Sequence, residues 1–376
     1  ARDGKWVYIA NPDIAGRSDD EDSWQEVNMS FTGTFVKLLH GNDRWVAVAE
    51  NENKVSFSYN GEDWVSRSLP NTEAWIDGAC GEDTVVIISN TTNVVNYSSD
   101  GLNWSSTSIP DNTSGDSSTL QWDAMAYGQG KFVAVSSTMR DVAISVDGVT
   151  WVREEEALPE IDNLNIVSLT FGNNRWVAVD SQGRSIYSFD GETWYTGGDL
   201  PDDVNAEFEW IQVKYNQGVF VCVGNTVRLS GGLTPSATDH FATSEDGVVW
   251  TARDFNNPGF FATIAGRSNG TQPEWIALGY EQTTNAINRF HVGCKAKLRA
   301  NIELGKFADI LIWDPGSNYA TDGFSYTVTD SAFTSEVESI RYIHHGVLAQ
   351  PTFLNRGAGS RISPSTITAK GSGFAE

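Results

Sequence analysis

The sequence predicts an all-β protein: a β-propeller of four-stranded antiparallel blades followed by a small C-terminal β domain. Three observations predict it. A short phrase, Ser-x-Asp-Gly-x-x-Trp, recurs along the chain. Its copies fall about forty residues apart, the spacing of propeller blades. Between them lie short runs rich in Val, Ile, Trp and Phe, split by Gly, Asn and Asp turns, as in antiparallel strands.

Complete copies are Ser98, Asp100, Gly101, Trp104; Ser145, Asp147, Gly148, Trp151; Ser188, Asp190, Gly191, Trp194; and Ser244, Asp246, Gly247, Trp250. Asn60 replaces the Asp in the copy Ser58, Asn60, Gly61, Trp64, and a worn first copy holds Ser18, Asp20 and Trp24. Asp-Gly between alternating apolar residues is a strong hairpin signal, so the phrase joins the third and fourth strands of a unit. The Gly is expected at positive φ. The Asp oxygen is expected to accept backbone N–H groups of the turn. The Trp is expected to wedge into the gap toward the next blade. Every residue of the phrase thus has a structural task.

The other elements come in order. A first strand, such as Trp75–Cys80 or Ile166–Phe171, precedes a turn such as Gly41-Asn42-Asp43-Arg44 or Gly172-Asn173-Asn174-Arg175. Second strands are expected at Trp6–Ala10, Trp45–Ala49, Val85–Ser89, Phe132–Ser136, Trp176–Asp180, Phe220–Gly224 and Trp275–Gly279. That count gives seven blades. Six is the alternative, because the first unit lacks its first strand and the seventh lacks the phrase. Most tryptophans occupy these repeated positions and read as core rather than as sugar-stacking surfaces.

With these residues the chain resembles the Asp-box family of β-propellers, also called bacterial neuraminidase repeats, over residues 1–296. The resemblance implies the fold; hydrolases, assembly factors and binding proteins all use it, so it implies no single function. A sialidase would need an arginine cluster, a Tyr/Glu nucleophile pair and an acid. The family's Arg-Ile-Pro phrase is absent near the first blade, and Arg44 and Arg175 share one turn position, which makes them scaffold. A glycosidase needs two converging carboxylates, and no copy departs from the repeat so as to nominate a pair. No catalytic residue, cofactor or enzymatic activity is expected.

The 376 residues carry a net charge of −24. That disfavours nucleic acid as a partner, which calls for a basic footprint. The densest acidic run, Glu154-Glu155-Glu156 with Glu160 and Asp162, reads as a solvated loop rather than a cation site. Cys80, Cys222 and Cys294 have no metal-binding spacing; the first two read as small buried residues, and no metal is expected. No apolar run is long enough for a membrane helix, so membrane insertion is not expected. The chain begins with Ala and shows no signal peptide, which suggests a processed or truncated product. Six Asn-x-Ser/Thr sequons, at Asn28, Asn90, Asn96, Asn103, Asn112 and Asn269, are what chance gives in a chain this rich in these residues.

After Lys295 the pattern changes. Residues 297–376 are expected to form the small β module, for attachment or oligomerisation. Asp314–Tyr319, Tyr326–Asp330, Asn355–Ser360 and Gly371-Ser372-Gly373-Phe374-Ala375 resemble repeats of tail fibre and baseplate virion proteins from marine and cyanobacterial tailed phages; Ser360-Arg361 departs from the pattern's Gly-Tyr. The resemblance implies a non-enzymatic structural or adhesion component of a virion tail, extracellular, with other tail proteins as partners. A homotrimer and a host-surface glycan or protein are further partners it suggests. The alternative is a secreted Asp-box glycoside hydrolase. Insertions at Asp111–Ser118 and Leu229–His240 fall on the face opposite the phrase, where binding loops gather. Arg140, Arg184, Arg228 and His240 lie in or beside such loops and are the candidate binding residues.

Overall fold

The structure is a computed structural model. It describes residues 5–10, 12–19, 23–111, 121–201, 208–226, 238–268, 273–280, 285–291, 297–303, 306–314, 327–330, 333–336 and 367–368. Two compact units are present: Ala1–Gly266 with Ile276–Asn288, and Arg267–Trp275 with Arg289–Glu376.

The first sheet has three strands, β1 (Trp6–Ala10), β2 (Ile14–Ser18) and β3 (Gln25–Asn28). Four four-stranded sheets come next: β4 (Phe35–Gly41), β5 (Arg44–Ala49), β6 (Glu52–Ser58) and β7 (Val65–Glu73); β8 (Trp75–Cys80), β9 (Val85–Ser89), β10 (Val94–Ser98) and β11 (Ser105–Ser108); β12 (Ala124–Gly128), β13 (Lys131–Ser136), β14 (Asp141–Ser145) and β15 (Val152–Glu154); β16 (Ile166–Gly172), β17 (Arg175–Asp180), β18 (Ser185–Ser188) and β19 (Trp194–Thr196). The sixth sheet has six strands in sequence order, β20 (Phe208–Asn216), β21 (Val219–Thr226), β22 (Thr238–Ser244), β23 (Thr251–Ser268), β24 (Pro273–Tyr280) and β25 (Asn285–His291). Neighbouring strands within the blades pair antiparallel, as in β4 with β5, β13 with β14 and β20 with β21.

The propeller therefore has six blades, not seven. The expected seventh second strand exists, as β24 with Trp275, but it joins the sixth sheet. The reason is local. The sixth blade's last strand, β23, runs on for 18 residues without a break and carries the pairing with it. Among the described residues the first sheet has three strands, and β1 stands in it as a second strand by its position. Beyond the blades, β26 (Lys297–Glu303) and β27 (Lys306–Asp314) form a hairpin. β28 (Thr327–Asp330), β29 (Phe333–Glu336) and β30 (Ile367–Thr368) form a small sheet in the order β29-β28-β30. Of the C-terminal phrases, 315–326, 355–360 and 371–375 lie outside the described residues.

The core is a set of apolar clusters, each shared by two consecutive blades. Between the second and third lie Leu39, Val46, Val48, Val55 and Phe57 with Trp75, Val85 and Ile87. Between the fourth and fifth lie Ala124, Val133, Val135 and Val142 with Ile166, Trp176, Ala178 and Trp194. Burial from both sides explains why second strands are apolar at successive positions rather than alternating. The phrase tryptophans join these clusters on the side of the preceding blade: Trp64 packs with first-blade Ala15 and Met29, Trp151 with third-blade Val86 and Ile88, Trp250 with fifth-blade Val177 and Val179. The expectation that they face the next blade is thus corrected. The glycine beside each explains it. A Cβ on Gly148 would stand 2.6 Å from Val86, and one on Gly247 2.3 Å from Val177, so the turn itself rides on the previous blade's second strand.

Candidate functional site

The phrase turns form one face of the propeller. In the five described copies the Ser hydroxyl donates to the Asp (or Asn60) Oδ1 at 3.0 Å. Its oxygen accepts the Gly N–H at 2.8–2.9 Å. Oδ1 then accepts two further backbone N–H groups, Val149 at 2.8 Å and Thr150 at 2.7 Å in the Asp147 copy. Asn60 keeps this pattern because Oδ1 alone carries it, with Glu62 N and Asp63 N both at 2.9 Å. The glycines sit at φ +70° to +78°, where a side chain is strained. Trp64, Trp104, Trp151 and Trp194 each donate Nε1 to their own Gly carbonyl at 3.2–3.3 Å, whereas Trp250 reaches Ser185 Oγ. In the worn copy, Ser18 is buried, Trp24 stacks 5.2 Å from Tyr8, and Asp20 lies outside the described residues.

These bonds set the acidity of the turns. The N–H of Thr150, then that of Val149, holds Asp147 down at about 2. Asp100 is lowered further, chiefly by the Asn103 N–H. In Asp190 and Asp246 burial pulls upward, and the N–H donors outweigh it. All four are committed anions, without the proton a general acid would need. Arg44 and Arg175 donate to the next blade's turn, at Ser99 O (2.8 Å) and Asp246 O, which makes them staples between blades. The same face carries an exposed aromatic group that sequence reading missed: Phe189 and Tyr195 with Tyr187, under the Arg175 guanidinium.

On the opposite face, two of the four candidate binding residues are engaged locally. Arg184 pairs with buried Asp180 and donates to Asp162 O (2.6 Å) and Asn163 O (2.7 Å), so it ties a loop to β17. Arg140, at φ +58°, lies 3.3 Å from Glu156. His240 stands on β22, opposite Asp254, rather than in the loop before it. Arg228 and most of the inserted loops lie outside the described residues. Next to Arg140, a guanidinium and a carboxylate are buried together: Arg153 Nε and Nη2 reach Asp141 Oδ2 at 2.7 and 2.5 Å. Among the described residues no cluster of His, Cys, Asp or Glu could hold a metal ion, and no helix is long and apolar enough to cross a membrane. Cys222 is buried and Cys80 partly so; burial drives Cys80 up to about 12 and Cys222 well above its usual value, so neither is a ready nucleophile.

Sequence reading also missed a belt of polar side chains on the first strands. In β4, β8, β16 and β20 the pairing register shifts just before Lys37, Asp77, Ser168 and Gln212. A bulge of this kind re-aims the side chain beyond it. Here the side chains of Lys37, Asp77 and Ser168 turn to the next first strand, and that of Gln212 turns to β23. Lys37 pairs with Asp77. Asp77 Oδ2 accepts the Met125 N–H (3.0 Å), and Ser168 Oγ donates to Val213 O (3.3 Å). Gln212 Oε1 accepts from Ile264 N (2.8 Å) and Thr263 Oγ1 (2.9 Å). Two residues from Gln212, Lys214 is partly buried; the positive charge of Lys37, with burial, pushes it down to about 8 while Asp77 opposes.

No protein-family model and no curated protein matches the sequence. Solved structures do. The chain is similar to a streptogramin B lyase, at 9% identity and a TM-score of 0.61 over 78% of this chain and 91% of the other. It is similar to YCF48 bound to a D1 peptide, at 15% and 0.52 over 76% and 87%. It is also similar to YCF48 from Cyanidioschyzon merolae, at 11% and 0.53 over 77% and 92%. Together with the blades described above, this defines the class: a β-propeller of four-stranded blades with a small extra sheet.

Proposed function

We propose that this chain is a non-enzymatic Asp-box propeller of a tailed-phage virion, in the tail fibre, spike or baseplate. The propeller serves as an interaction platform, and the C-terminal module joins it to other tail proteins, as a homotrimer. The observation that carries this reading is how the chain's polar residues are employed. The phrase carboxylates are tied into turns, the Arg153 and Arg184 guanidiniums are paired within their own blades, and the C-terminal Gly-Ser and Thr-rich phrases resemble those of virion proteins. Nearly the whole chemical repertoire of the described propeller thus goes to rigidity, which suits a platform. The fold alone assigns neither role, since a lyase and a peptide-bound protein share it.

The test has two arms. Antibodies against the purified chain should decorate the tail end of phage particles in negative-stain electron microscopy. Incubation with sialylated oligosaccharides and bacterial polysaccharides should release no reducing sugar. Release of sugar, with unlabelled particles, would instead support the secreted glycoside hydrolase.

A further inference from the structure

Among the described residues, the large apolar side chains left exposed follow the phrase. Three stand directly after a phrase Ser (Tyr59, Val146 and Phe189), three directly after a phrase Trp (Val65, Val152 and Tyr195), and Val249 directly before one. All of them belong to phrase hairpins, on one face. Scattered singly over a surface, such residues are ordinary. Gathered on one face, they mark a contact surface.

The fifth blade holds the aromatic part of this surface. Phe189 and Tyr195 are 53% and 46% exposed, so each offers a ring face to a partner. Their centroids stand 6.4 Å apart, and Tyr187 joins them at 5.6 and 5.5 Å. Tyr187 and Tyr195 are register partners on β18 and β19, so the sheet holds them. The Arg175 guanidinium lies 4.8 Å from the Phe189 ring and donates to Asp246 O in the sixth blade's turn. Asn173 grips the same turn at Glu245 O (3.0 Å), and the Gly198 N–H at Val248 O (2.9 Å). Rings fixed in this way give up little freedom when a partner covers them.

Charge selects the occupant. Asp190 and Glu192 lie in the turn that begins at Phe189, and Glu245 and Asp246 in the turn that Asn173 and Arg175 grip. Against these four acids stand two cations, Arg175 and Lys131, the latter 3.4 Å from Glu192. A second copy of the chain, at a net charge of −24, would be repelled, and so would an anionic lipid surface. A neutral glycan would gain nothing from the excess of acid. A basic segment gains twice: a guanidinium stacks on an exposed ring with carboxylates in reach, and apolar neighbours cover the remaining ring surface.

We propose that Phe189 and Tyr195, flanked by Glu192 and Glu245, dock a basic segment of a partner protein in which Arg alternates with apolar residues. This deepens the reading of the propeller as an interaction platform, on which it rests, by naming the face and the chemistry of the partner.

Fluorescence anisotropy of the full chain with the labelled peptide Arg-Leu-Arg-Leu-Arg-Leu-Arg, at pH 7 and physiological salt, tests this. The peptide should bind, and its analogue with Ser for Leu, equal in charge, should bind at least tenfold more weakly. Phe189→Ser with Tyr195→Ser should weaken the Arg/Leu peptide at least tenfold, and so should Glu192→Lys with Glu245→Lys, which leaves the rings in place. Tyr59→Ser, at the Phe189 position of the second blade, should stay within threefold of the parent. Circular dichroism identifies any variant that fails to fold, and either double variant alone tests the site. Equal binding of the two peptides, unchanged binding in a folded double variant, or binding of chitotriose that the ring variant abolishes while the peptide does not bind would overturn the proposal. Antibody labelling of particles answers separately: labelled particles without peptide binding overturn this site alone, and peptide binding with unlabelled particles leaves the site standing and overturns the virion reading.

Discussion

Replacing Gly172 by alanine should destabilise the propeller, although alanine ordinarily improves on glycine at such a position. Gly172 ends β16 and does not lie in the left-handed region. On backbone grounds alone, Gly→Ala would stabilise by about 0.4–1 kcal/mol through the unfolded chain. The next blade reverses that sign. A Cβ here would stand 1.9 Å from Tyr215 Cγ and 2.2 and 2.3 Å from its Cδ atoms. Cγ is the root of the ring, so rotating the ring cannot relieve the contact. Tyr215 is also held in place, by Phe220 at 4.8 Å between ring centroids and by its hydroxyl, which accepts the Gly218 N–H at 3.0 Å. Overpacking costs about 1–3 kcal/mol, and a lost hydrogen bond adds about 1 kcal/mol. The expected loss is about 2–4 kcal/mol, read from urea unfolding monitored by tryptophan fluorescence, with an unchanged m-value. In a Tyr215→Ala background the same substitution should be nearly neutral, a coupling of at least about 1.5 kcal/mol. A Gly172→Ala chain as stable as its parent, or a loss that persists without Tyr215, would refute the reasoning.

Three further outcomes rest on the same geometry. Asp147→Ala removes the acceptor for Val149 and Thr150 and should cost about 1–2 kcal/mol, whereas Asp147→Asn, which copies Asn60, should recover most of it in the same urea assay. Arg153→Met strands the Asp141 carboxylate, at 4% exposure, and should cost about 3–5 kcal/mol by thermal and urea denaturation. The lowered pKa values of Asp100, Asp147, Asp190 and Asp246 mean that their stabilisation is present above the unfolded value of about 3.9 and is lost as pH falls through the folded values. The urea midpoint should therefore hold steady from pH 7 to about 5 and fall between about pH 4 and 2. Asp123, raised by burial against its Ser137 donors, opposes this in part. A midpoint that does not fall on acidification would contradict the assigned turn geometry.

Local features were the legible ones. The phrase announces its own hairpin, because Ser, Asp and Gly act within four residues of one another, and the second strands fall where their apolar runs place them. The blade count was less legible, since it turns on whether one strand breaks, and β23 does not. The direction of the tryptophan wedge depends on which neighbour the turn rests upon, a relation no single copy contains. Gly41 and Gly172 were visible as turn residues, but the cause of their smallness is a residue about forty positions on, Cys80 and Tyr215. The belt escaped notice because Lys37, Asp77, Ser168 and Gln212 share a position and a bulge but no side-chain chemistry. Arg140 and Arg184 drew notice for lying beside loops, yet their acidic partners close by, Glu156 and Asp180, could not be assigned from sequence among so many acids. Asn96 shows the converse: its sequon is plain in the sequence, but the residue is fully buried on β10, which rules out glycosylation of the folded chain.

The central claim, a rigid propeller serving as a part of a virus particle, is tested most directly by quantitative mass spectrometry of purified tailed-phage particles. The account predicts this chain at a fixed copy number per particle, in a multiple of three, retained through density-gradient purification. Its absence from particles, with the chain recovered instead as a free protein that hydrolyses polysaccharide, would contradict the account.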